Sequence, residues 1–166
     1  MPKQSPPELD QFLQAYPGEV GQLFKATRER VLKAAKGCNE IIYDAYSAVA
    51  SGFTFTEGFQ EAFCHIAAYG KYVNLGFNNG AQMYDPAHVL QGSGKFIRHI
   101  TIKKIEDLNA APVAHFIALA VEQGRVNAKG KESAKGKVFI KQTKGPKRRP
   151  NLLDNKNARR TKKTRR

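Results

Sequence analysis

The polar side chains best suited to chemistry crowd one stretch, Asp85-Pro86-Ala87-His88-Val89-Leu90-Gln91-Gly92-Ser93-Gly94-Lys95-Phe96-Ile97-Arg98-His99. Within it, Gly92-Ser93-Gly94 can turn successive backbone amides inward, with the Lys95 cation beside them, an arrangement that holds a phosphate or carboxylate. Arg98 could clamp the same anion through two parallel N–H bonds. Gly92, Gly94, Lys95 and Arg98 are therefore the expected anion or ligand site. It is not a Walker A loop, which needs four residues between its glycines and a Ser or Thr after the Lys; here Phe96 follows Lys95. The plainer alternative is that the glycines shape a tight loop and both cations are solvated, and the low specificity of short glycine motifs favours it.

The same stretch holds candidate metal ligands. Asp85, His88 and His99, with His65 as an outlier, offer carboxylate and imidazole donors that suit ferrous iron. Neighbouring strand residues face opposite ways, so Cys64 and His65 cannot chelate together, and Arg98 and His99 point apart. No ligand triad is visible in the spacing, which favours reading His99 as a partly buried histidine bonded to a neighbour. His115 reads as a surface residue. Glu8, Asp10, Glu57 and Glu61 could form a weakly metal-binding acidic surface, although such charges are usually solvated faces. There is no G-x-S-x-G elbow, and a strand cysteine such as Cys64 is more often structural than nucleophilic. No catalytic residue is assigned, and a binding or carrier protein is favoured over an enzyme. An enzyme acting on an anionic substrate would need a concave pocket joining Lys95, Arg98 and His99.

The elements that must position these groups follow from periodicity. The 166 residues suffice for one domain with its own core. A short helix should enter through Ser5-Pro6-Pro7-Glu8, with Ser5 as its N-cap, and run to Tyr16. A second starts at Pro17 and ends at Gly37. Its apolar stripe is Val20, Phe24, Thr27 and Val31, with Leu23 and Ala34 beside them, while Lys25, Arg28, Glu29 and Lys33 fill the other face. From Glu40 the texture becomes β-branched and aromatic, broken at Ser51-Gly52, Glu57-Gly58 and Gly70-Lys71. That predicts hairpin-linked strands over 40–45, 52–56, 63–69 and 71–77, then a turn at Asn78-Asn79-Gly80. Residues 96–103 give a further strand. Residues 105–122 read as a helix that starts after Asn109, so that Pro112 falls in its first turn. The fold class expected is α+β: a curved antiparallel sheet of five or six strands with N- and C-terminal helices packed on it.

Charge divides the chain after Gly124. Residues 1–124 carry 11 Lys+Arg against 12 Asp+Glu, a net of −1, whereas residues 125–166 carry 17 against 2, a net of +15. The second segment is rich in Lys, Arg, Gly, Asn and Thr, and its one apolar triplet, Val138-Phe139-Ile140, is too short to build a core. It reads as a disordered basic tail following a 1–124 domain. Its clusters, Lys147, Arg148 and Arg149, then Arg159, Arg160, Lys162, Lys163, Arg165 and Arg166, would neutralise phosphates and release counterions. The expected partner is nucleic acid, without sequence specificity because no base-reading module is present. In a eukaryote the two clusters would also read as a bipartite nuclear signal. A plain solubility tail is the alternative. The tail lacks the apolar face of a membrane anchor, and no apolar run approaches membrane-spanning length. Cys38 and Cys64 give neither a C-x-x-C pair nor a disulfide framework, which suits a reducing compartment. With no apolar signal region at the start, a cytoplasmic location is expected, or a nuclear one in a eukaryote.

Four short motifs occur in order: Tyr72–Phe77 (YVNLGF), Gly80–Pro86 (GAQMYDP), Leu90–Lys95 (LQGSGK) and Arg98–Thr101 (RHIT). Together they resemble the DUF1801, or YdhG-like, family, whose usual run is a "hvnLGF" strand, a "Ga.L.dP" turn, an "l.GtGk" loop and an "RHIr" strand. The overlap spans residues 20–122. Met83 stands where leucine is more usual, and Thr101 where a basic residue often follows. The resemblance implies a compact α+β fold with a curved antiparallel sheet. Most members have no assigned activity, and one branch is described as frataxin-like iron chaperones. Iron is thus the one cofactor or cargo that the resemblance suggests. The resulting expectation is a small binding or carrier protein, with iron as its candidate cargo, tethered to nucleic acid by its tail; the alternative is that tail-driven nucleic-acid association is the function and the core an interaction platform.

Overall fold

The computed structural model describes residues 4–133 and 135–150. Three helices, α1 (Pro7–Leu13), α2 (Gly18–Ala34) and α3 (Ala111–Ala128), accompany six strands. These are β1 (Asn39–Asp44), β2 (Val49–Thr54), β3 (Cys64–Ala68), β4 (Val73–Phe77), β5 (Arg98–Ile102) and β6 (Val138–Gln142). The strand order is β5-β4-β3-β2-β1-β6. The first five strands form an antiparallel meander, and β6 joins β1 in parallel. The α+β class is as expected, with a mixed rather than purely antiparallel sheet.

Alternation along the strands divides the sheet into two faces. Ile42, Phe53, Cys64, Ile66, Leu75, Phe77 and Ile102 point to the helix side, where they meet Val20, Phe24 and Val31 of α2 and Val113, Phe116 and Ile117 of α3. On the opposite face the registered row Ile41–Gly52–His65–Gly76–His99 crosses five strands. Two of its members are glycine for a steric reason. A Cβ on Gly52 would lie 2.8 Å from the Phe59 ring, and one on Gly76 would lie 2.4 Å from the His65 imidazole.

Two helix details depart from the sequence reading. The cap of α1 is Pro6 without a side-chain bond, rather than Ser5. Arg28, assigned above to the solvent face of α2, is 2% exposed. Its Nε and Nη2 donate to Glu40 Oε1 and Oε2 at 2.8 Å each, and Ser51 Oγ donates to Oε1 at 2.9 Å. Helical periodicity had no means of seeing an acid on the facing strand. Such a pair adds little net stability relative to an apolar replacement, but losing one partner costs about 3–5 kcal/mol, because the other is left charged and buried. As expected, Pro112 lies in the first turn of α3, after a short 3₁₀ segment over Ile105–Asn109.

The larger correction concerns the segment after Gly124, which is not disordered as far as Pro150. Helix α3 continues to Ala128, and the triplet Val138-Phe139-Ile140 forms most of β6. The triplet is indeed too short for a core of its own, but it only has to complete one, since the edge of β1 supplies a row of unpaired backbone groups. Asn39, fully buried, directs the crossing. Its Nδ2 donates to Ser133 O at 3.0 Å, and its Oδ1 accepts from the amides of Lys135 and Lys137 at 3.1 and 3.0 Å. The folded unit therefore extends through Pro150.

Candidate functional site

The two ends of the sheet carry different chemistry. At the end where β3 begins and β4 finishes, a cleft of about 470 Å³ opens between the 3₁₀ turn Phe59–Glu61, the Asn78-Asn79 turn, Phe96-Ile97 and the last turns of α3. Five carboxamides line it: Gln60, Asn78, Asn79, Gln123 and Asn127. Phe63 forms an apolar wall, packed so closely on α3 that a Cβ on Gly124 would fall 2.7 Å from its ring. Asn78 is oriented from behind, since its Oδ1 accepts a hydrogen bond from His65 Nδ1–H at 2.8 Å. Glu61 accepts from Lys131 Nζ at 2.8 Å and from the Thr56 hydroxyl. The bond from Lys131, reinforced by Thr56, holds its carboxyl below the usual value. The acid and the base of the cleft are thus spent on each other. What remains is a set of neutral donors and acceptors beside apolar surface, which suits binding rather than proton transfer.

The glycine loop beside this cleft is exposed from Gln91 to Ile97. Gly92 takes the left-handed region at φ 113° that the turn requires. Arg98 is not aimed outward: its Nη1 donates to Gly94 O at 2.5 Å and to Ile97 O at 2.8 Å, staking the loop to its own strand. Lys95 Nζ lies 5.2 Å from the centre of the neighbouring Phe96 ring. Gly92, Gly94, Lys95 and Arg98 are thus adjacent, and part of Arg98's bonding capacity goes to carbonyls of the loop.

The expected iron ligands do not form one donor set, and among the described residues no group of three or more His, Cys, Asp or Glu side chains could hold a metal ion. Asp85 is engaged in its own turn, where Oδ1 accepts from Val89 N at 3.0 Å and Oδ2 from Leu90 N at 2.8 Å. Burial opposes ionisation there, but these two amides, aided by His88, hold the carboxyl below its usual value. His88 is exposed and occupies a left-handed conformation at φ 52° in that turn. His99 stands apart on the sheet face with His65, and Gly76 lies between them. Burial pushes both imidazoles below their ordinary value, and for His65 the nearby His99 adds to the effect. Cys64 is fully buried, and its thiol is pushed well up by that burial and by Cys38. This fits a structural cysteine.

At the opposite end of the sheet the basic segment is locked down. Arg149 is 3% exposed. Its Nη2 donates to Asp44 and, at 2.7 Å, to Ala45 O, while its Nη1 reaches Tyr46 O at 3.1 Å. Lys147 Nζ pairs with the other oxygen of Asp44. The guanidinium also lies 5.8 Å from the centre of the Tyr16 ring. Of the first expected nucleic-acid cluster, Lys147 and Arg149 thus serve the fold, and only Arg148 is exposed. Arg159, Arg160, Lys162, Lys163, Arg165 and Arg166 lie outside the described residues.

Sequence reasoning passed over the carboxamides and Asp44. Gln123 and Asn127 are four residues apart, a spacing that sets two amides on one helix face, and the charge boundary drawn at Gly124 separated them. Asp44 gave no signal, because its partners are more than a hundred residues away.

No family model matches the chain, and no curated protein or solved structure matches it. Among the described residues no helix is long and apolar enough to cross a membrane.

Proposed function

We propose that this is a nucleic-acid-associated protein whose folded domain anchors a basic C-terminal arm. The observation that carries the reading is the double engagement of Asp44 by Lys147 and Arg149, which fixes the root of the arm to the sheet. Beyond Pro150 the sequence has seven Lys+Arg against one Asp, a net of +6. With Arg148 these cations can neutralise several phosphates, and attraction of this size makes contact with nucleic acid hard to avoid at moderate salt. Contacts with roughly 6–8 phosphates correspond to a log–log salt slope of about −5 to −7 on duplex. The test compares the full chain with residues 1–150 by fluorescence anisotropy on labelled DNA and RNA over a salt series. The full chain is expected to bind with that slope, and removal of residues 151–166 to abolish binding without altering the circular dichroism spectrum. Unchanged affinity of the shortened chain, or no binding by the full chain near physiological salt, would refute the reading.

The amide-lined cleft favours a second role for the core, binding or carrying a small neutral ligand rich in hydrogen-bonding groups. The exposed Phe96 at its mouth and the mutual neutralisation of Glu61 and Lys131 support that reading over an anionic ligand. Membership of the YdhG-like family, and iron as cargo, stand on the four motifs alone.

A further inference from the structure

The end of the sheet from which the arm departs is unusually rich in tyrosine. The turn between β1 and β2 presents Tyr46, 59% exposed, and the turn between β3 and β4 presents Tyr69, 37% exposed. The second turn is tight: Tyr69 N donates to Tyr72 O at 2.9 Å, and the two rings stack at 5.2 Å with 29° between their planes. The turns are neighbours, because Ala50 of β2 is registered with Ala67 of β3. The root of the arm touches both. Arg148 N donates to Tyr46 O at 2.8 Å, and Pro150 lies against Gly70, where an added Cβ would meet its ring at 3.7 Å. Lys71, Lys144 and Arg148 are exposed at this end and form no ion pair among the described residues, whereas Asp44 is already neutralised twice.

Aromatic faces interleaved with free cations are the composition that recognises an unpaired nucleic-acid strand: the cations follow the phosphates and the rings stack on bases. Duplex hides its base faces, so tyrosines held in stiff turns gain little from it. Nothing in the core explains the exposed rings, since neither Tyr46 nor Tyr69 belongs to the core cluster. The geometry points to a stacking platform for single-stranded nucleic acid, formed by Tyr46, Tyr69 and Tyr72 and flanked by Lys71, Lys144 and Arg148. This deepens the nucleic-acid reading and rests on it.

The test uses the full chain with a labelled oligouridylate of about twelve nucleotides and with a duplex of equal length. Tyr46→Ala and Tyr69→Ala are expected to weaken single-strand binding about 5- to 150-fold each, as the loss of about 1–3 kcal/mol of stacking implies. Duplex affinity and the salt slope are expected to stay unchanged, and Tyr69→Phe to retain binding. Because the chain has no tryptophan, tyrosine emission reports the contact directly and is expected to be quenched by the single strand. Variants that bind single strands like the parent would overturn the platform while leaving the arm reading intact. Equal losses on single strand and duplex would overturn base stacking in favour of a purely electrostatic contact. Failure of the parent chain to bind either nucleic acid would overturn both inferences.

Discussion

Replacing Asp44 by alanine removes the carboxylate shared by Lys147 and Arg149 and strands a guanidinium that is 3% exposed. Loss of one partner from a buried ion pair costs about 3–5 kcal/mol when the other must stay buried. Here the arm has a way out, because β6 is an edge strand and can undock, returning Arg149 to water. The cost is therefore limited by the free energy that holds residues 135–150 in place. Part of that survives the substitution: the carbonyls of Ala45 and Tyr46 still accept from Arg149, and Tyr16 still faces it. If the latch contributes the lower figure, about 3 kcal/mol, amide exchange in the segment should accelerate roughly 150-fold. Hydrogen exchange measured by mass spectrometry would show this in peptides covering β6 and the Glu40 amide that donates to Lys137 O, while α2 and β3 keep their protection. Asp44→Asn, which retains an acceptor oxygen without the charge, should fall between. The two released cations would also be free for phosphates, making the duplex salt slope steeper by up to about 2 units. Unchanged protection of β6 in Asp44→Ala would refute the reasoning and leave the strand ladder and Asn39 as sufficient anchors.

Three further outcomes are expected. Gly124→Ala gains up to about 1 kcal/mol of helix propensity, but the new methyl falls 2.8 Å from Phe63 Cβ, which cannot rotate away. Overpacking of this kind costs about 1–3 kcal/mol, so the melting temperature should drop by a few degrees; a rise would show that Phe63 does not pack there. His65 and His99 have folded-state values below the ordinary imidazole 6.5, so the unfolded chain binds protons first as the pH falls. Their contribution to stability is complete above about pH 6.5 and is lost as the pH falls through the folded values. Urea midpoints at pH 7.5 and 5 should differ less in His65→Gln, and an identical pH dependence would contradict the assignment. Anaerobic ferrous-iron titration of residues 1–150 should show no saturable micromolar site, because Asp85 and His99 are not brought together with a third donor; saturable binding weakened by His99→Ala would reverse this.

How much was legible in the sequence depended on how far each residue's partner lay along the chain. Strand alternation showed through, placing Arg98 and His99 on opposite faces, because the information is local. So did the Gly70-Lys71 break, which is the tight turn between Tyr69 and Tyr72. Arg28 was misplaced because its polarity argued for water while its partner, Glu40, lay on another element. β6 was missed for a related reason. Composition measures whether a segment can fold alone, and residues 138–142 fold only as the last rung of a sheet that begins nearly a hundred residues earlier. Nor did the cleft show, since carboxamides carry no motif and Asn78 reads simply as a turn residue.

The point at which the basic segment stops belonging to the fold can be argued from its charges. Up to Pro150 several of its cations have an acid assigned to them. Lys131 pairs with Glu61, Lys137 with Glu57, and Lys147 and Arg149 share Asp44. Those acids come from the domain, whose own balance up to Gly124 is −1. The slight acidity of the domain is thus partly the means by which it holds the first half of a basic segment. Beyond Pro150 seven bases face a single acid within the segment, and Asp44, which holds Lys147 and Arg149, is already used twice. An external polyanion is then the natural source of countercharge, and the same electrostatics that fold residues 135–150 onto the sheet would recruit it.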